Sequence, residues 1–94
     1  MAKSTVLTAS GSVSPKPSFL FQVNVTKVAT GAGSVIIYDN PSAASGPILF
    51  QGDGLTQQGF QMSNGKGGGI NATNGIYCAL AGTTNATVVI VTDN

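Results

Sequence analysis

Three carboxylates, Asp39, Asp53 and Asp93, and one thiol, Cys78, are the side chains of this 94-residue chain best equipped for chemistry. General acid and base work by paired carboxylates would require two of the Asp residues to meet in space, since none neighbours another in sequence and there is no Glu. Asp39 and Asp53 instead sit beside turn-favouring residues, Asn40 and Gly54, where a carboxylate caps backbone amides, so a structural role is expected of both. The chain has no His. That removes Ser–His and Cys–His pairs and any zinc site of ordinary type, and calcium held by Asp and backbone carbonyls has no supporting motif. Cys78 is the single cysteine and lies among Ile76, Tyr77 and Leu80, the setting of a buried small hydrophobe. Gly65 and Lys66 suggest a phosphate loop, but that motif needs a Ser or Thr after the Lys, where Gly67 stands, and a helix beyond it. Residue chemistry therefore names no reaction and no cofactor.

Composition narrows the partners. Charged residues are 7% of the chain against about 25% in a typical soluble domain. The surface must be built from Ser, Thr, Asn, Gln and Gly, and such a surface is expected to be covered in part by copies of itself or by another protein. Lys3, Lys16, Lys27 and Lys66 are scattered and there is no Arg, so direct nucleic-acid binding is not expected. No apolar run approaches the roughly 18 residues of a membrane span, and residues 1–5 carry no apolar signal segment, so synthesis in the cytoplasm without export is expected.

The elements that position these residues read as strands. Residues 1–17 form a Ser/Thr-rich extended arm with one short edge strand at Thr5–Thr8, closed by Pro15 and Pro17. Residues 18–94 form one domain. Phe19, Phe21, Val23 and Val25 alternate with Leu20, Gln22 and Asn24, a strand with one buried face, and a phase shift follows at Lys27. A hairpin is expected from there into Val35–Tyr38. A loop at 40–47 leads to a strand at Ile48–Gln51; the runs 56–62 and 70–73 are further strand candidates. Ile76–Leu80 and Ala86–Thr92 are expected to pair as a second hairpin. The expected core is Phe19, Phe21, Val23, Val25, Val35, Ile37, Ile48, Phe50, Phe60, Ile76, Cys78, Leu80, Val88 and Ile90. Turn signals recur about every 8 to 12 residues and no stretch has helical spacing, so the fold class is all-β, an antiparallel sandwich or jelly roll without significant helix.

Several segments, taken together, resemble a group of small virion proteins of tailed bacteriophages. They are Lys16-Pro17-Ser18-Phe19-Leu20-Phe21, Ser34-Val35-Ile36-Ile37-Tyr38-Asp39-Asn40 with Ser42 to Gly46 and Ile48, Asn74-Gly75-Ile76-Tyr77 and Ala86-Thr87-Val88-Val89-Ile90. The resemblance covers the chain from about Lys16 onward and implies a β-sandwich that cements or decorates the capsid exterior at capsomer junctions. It supplies no catalytic residues and no cofactor. The partners implied are the major capsid protein and further copies of the chain, a trimer in preference to a dimer. Lys3, Ser4, Thr5, Val6 and Leu7 of the arm, with Tyr38 and Lys66, are the expected capsid or subunit contacts. The alternative is a neck, tail or fibre component that binds a host receptor or glycan, with Tyr38 and Tyr77 available to stack on sugar.

Overall fold

Val, Ile, Thr and aromatic residues alternate with small or polar ones along most of the chain, and these runs become strands because their side chains fit a half-buried pleated surface. The computed structural model describes residues 3–27, 33–52, 58–61, 69–82 and 86–93. The strands are β1 (Lys3–Leu7), β2 (Gly11–Ser14), β3 (Ser18–Lys27), β4 (Ser34–Tyr38), β5 (Ile48–Gly52), β6 (Gln58–Gln61), β7 (Ile70–Ala72), β8 (Ile76–Ala81) and β9 (Thr87–Thr92). No helix occurs among the described residues.

Two antiparallel sheets face each other. Sheet one runs β1-β9-β3, and the far side of β3 is shared by β7, opposite Ser18 to Leu20, and β6, opposite Gln22 to Val25. Sheet two runs β2-β8-β4-β5. The pairings nest: β4 with β5, β3 with β6 and β7, β2 with β8, β1 with β9. The chain is one long two-stranded ribbon folded back at the 39–47 turn and rolled so that successive segments fall in opposite sheets. That is the jelly-roll arrangement, and the expected fold class holds.

Rolling also overturns both expected hairpins. β3 and β4 lie in different sheets, as do β8 and β9, so neither pair shares a ladder. Local pattern finds adjacent strands but cannot register that the connection crosses from one sheet to the other. β8 pairs instead with β2 and β4, and β9 with β1 and β3.

The core sits between the sheets. Leu20, Val23, Val25, Val88 and Ile90 come from sheet one, and Val13, Val35, Ile37, Ile76, Cys78 and Leu80 from sheet two. Phe19 and Phe21, expected inside, are half-buried, and Leu20 is fully buried in their place. The cause is a register shift in β3: Leu20 pairs with Thr92 and Gln22 with Val91, so one residue is extra and the inward phase flips between Leu20 and Val23. A second shift between Val25 and Lys27 matches the expected change of phase there. Ile48 was also expected inside and is 51% exposed. It pairs with Tyr38 across another register shift, while Phe50 pairs with the inward Ile37 and packs against the core. The side chain of Phe60 lies outside the described residues.

Cys78 is fully buried, and burial pushes its thiol up to about 12. A thiol held neutral and covered should not react with an aromatic disulfide reagent over hours in buffer, yet should react completely in urea. Labelling of the folded protein on the same timescale as in urea would show that β8 opens locally.

Candidate interaction surfaces

The stretch expected to be an arm supplies one edge strand to each sheet of its own body. Lys3, Ser4, Thr5, Val6 and Leu7 are β1, paired residue for residue with Thr92 back to Val88. Thr5 and Leu7 lean toward the core margin, and Lys3, Ser4 and Val6 are exposed, Val6 at 62%. Serines fasten the next segment. Ser10 Oγ accepts from the Leu80 amide at 2.8 Å and donates to the Leu80 carbonyl at 3.2 Å, so a side chain stands in for a ladder pair beside β8. Ser12 Oγ donates to the Pro41 carbonyl at 2.8 Å.

Tyr38 ends β4 in the other sheet, so the structure does not gather it with β1. It does place Tyr38 directly opposite Tyr77, with Ser12 beyond Tyr77 and Ile48 beyond Tyr38. These four make one row across the outer face of sheet two. The next row is Ala79, Ile36 and Gln51. The four strands of this sheet contain no charged residue at all. Lys66, the remaining expected contact, lies outside the described residues.

Asp39 has the densest hydrogen bonding of any described carboxylate, and its role is architectural. Its backbone amide donates to the Pro47 carbonyl at 2.8 Å, closing the base of the 39–47 turn. Its side chain reaches across to the turn before β8, accepting from the Asn74 amide at 2.8 Å and the Thr73 hydroxyl at 3.1 Å. Burial alone would raise the Asp39 carboxyl, but hydrogen bonds from Asn74, Thr73 and Gly75 together outweigh it and hold the group below its ordinary value. Asn40 then caps the loop, its Oδ1 accepting from the amides of Ser42 and Ala43 at 2.9 and 2.8 Å. Sequence reading identified Asp39 as a turn carboxylate but not its partners, which lie 34 and 35 residues away. No local signal links the two.

Among the described residues no three His, Cys, Asp or Glu side chains gather as metal ligands, and no helix is long and apolar enough to cross a membrane. Comparison with protein-family models, with curated proteins and with solved structures finds no match to this chain.

Proposed function

We propose that this chain is a non-enzymatic structural protein of a tailed-bacteriophage virion. It is a cement or decoration protein that binds the major capsid protein on the capsid exterior and stabilises the shell as a homo-oligomer. The observation that carries the reading is the outer face of sheet two, where Tyr77, Tyr38, Ile48, Ile36 and Ala79 form an uncharged, partly apolar surface on a four-stranded sheet. Such a face gains from burial against a broad partner without stripping water from charges. Repetition over a capsid lattice turns modest single-site affinity into firm attachment. The jelly roll is also a fold that capsid proteins use, which supports the reading by analogy only.

The test is sedimentation of the protein with empty capsids. The protein is expected to pellet with them, and Ile48→Asp, at a solvent-facing position, to weaken attachment by about tenfold or more while leaving the fold intact. Wild-type protein that stays in the supernatant would sink the cement reading. The Tyr38–Tyr77 pair then favours the second reading, a neck, tail or fibre component that stacks these rings on host glycan. Binding to host polysaccharide, lost in Tyr77→Ala, would establish it.

A further inference from the structure

A β-sheet edge carries unpaired amides and carbonyls, and folded proteins defend it with bulges, prolines, interruptions or inward charges. Three of the four edges here are defended. β2 carries a register shift between Ser12 and Ser14 and is followed by Pro15. β5 follows Pro47 and has a register shift where Ile48 meets Tyr38. The far edge of sheet one, beyond β3, is divided between two short strands, β6 and β7. β1 has only the mildest of these devices, a Lys at its first residue. Its five residues pair with β9 without a shift, contain no proline, and carry a single charge, Lys3, at the very start.

A second observation points to the same strand. The Thr5 hydroxyl, at the middle of β1, is buried and has no hydrogen-bond partner. Buried hydroxyls are ordinarily satisfied.

We infer that β1 is the self-association edge of this protein, pairing antiparallel with β1 of a second copy about a two-fold axis that passes beside Thr5. Centring on Thr5 engages all five residues and sets the two Thr5 side chains opposite each other; once turned about χ1 out of the position where its own chain covers it, each hydroxyl can donate to or accept from its twin. Ser4 then faces Val6 of the second copy, covering a valine that is 62% exposed in the single chain. Lys3 faces Leu7, so its aliphatic stem lies over a leucine while the ammonium stays in water. The two Lys3 residues stand about 14 Å apart along the strands, too far to oppose pairing strongly. The contact is closed by a dyad and gives a dimer. A three-fold ring, the arrangement expected from sequence, would have to seat β1 on one of the defended edges if it joined sheets edge to edge. The inference concerns the protein in solution and stands apart from the capsid assignment.

Light scattering at high protein concentration should find a dimer, and Val6→Lys should raise its dissociation constant by roughly tenfold, because the two new ammonium groups sit on neighbouring diagonal positions. Circular dichroism should show Val6→Lys folded. Mild oxidation of Thr5→Cys should give a covalent dimer, whereas wild type, whose Cys78 is buried, and Leu7→Cys should not. If Thr5→Cys fails to fold, an equimolar mixture of Ser4→Cys and Val6→Cys reports the same register from exposed positions. A monomeric wild type, or an oligomer that neither responds to Val6→Lys nor cross-links in this register, would overturn the inference. So would a monomer whose capsid attachment is abolished by Val6→Lys, since the edge would then receive a strand of the capsid protein.

Discussion

Replacing Gly75 by Ala is expected to cost more than about 3 kcal/mol, a large share of the stability of a domain this small. Gly75 has φ of +150°, and a Cβ there would stand 2.7 Å from both the Pro41 Cα and the Ser14 carbonyl oxygen. Both obstacles are backbone, so neither can swing aside. The residue marks the point where the turn before β8 passes between the end of β2 and the 39–47 loop, three segments that must close together. Urea unfolding should show the midpoint lowered by about 2 M or more, or no folded protein at all. A midpoint within error of wild type would mean that the three segments can separate without disturbing the sandwich. Gly46→Ala makes a useful contrast. Its φ is +92° but its Cβ would come no nearer than 3.5 Å to the Asp39 carbonyl, so it should suffer conformational strain alone and a smaller loss.

Asp39→Ala should lower stability by about 2 to 3 kcal/mol, because it leaves the Asn74 amide and Thr73 hydroxyl without their charged acceptor. Asp39→Asn, which keeps one acceptor oxygen, should lose less. The same group sets an acid limit. Its folded pKa lies below the ordinary 3.8, so its contribution is complete well above that value and disappears as the pH falls through the lower, folded one. Wild-type stability measured across that acid window should therefore fall toward that of Asp39→Asn. Parallel acid profiles for the two proteins would show that the carboxylate contributes nothing through its charge.

These two positions illustrate what sequence conveys about this fold and what it withholds. The strand-forming runs, the turn at 39–47 and the inward set Val23, Val25, Val35, Ile37, Ile76, Cys78, Leu80, Val88 and Ile90 are legible because alternation is a local property. Phe19, Leu20 and Phe21 are all apolar, so their alternation fits either phase, and the register shift that selects Leu20 depends on how β9 lies beside β3. β2 is not legible in sequence because four residues, Gly-Ser-Val-Ser, offer a single apolar side chain, and Val13 is buried only because β8 runs alongside. The expected contact residues can be named from sequence, but their grouping in space cannot. Tyr38 was identified, but its alignment with Tyr77, Ser12 and Ile48 is a matter of register across four strands. Val6 and Thr5 are expected contacts, but the contrast between their edge and the three defended ones appears only once the sheet order is known.

The nested ribbon also fixes an order of events. β4 and β5 close a short loop, whereas β1 finds its ladder only on β9, almost the whole chain away. Closing the long loops loses chain entropy before many contacts form, so folding should zip outward from the 39–47 turn and be slow for a domain of this length. During synthesis β1 emerges first and waits longest for its partner, so until β9 appears both sides of that strand are open.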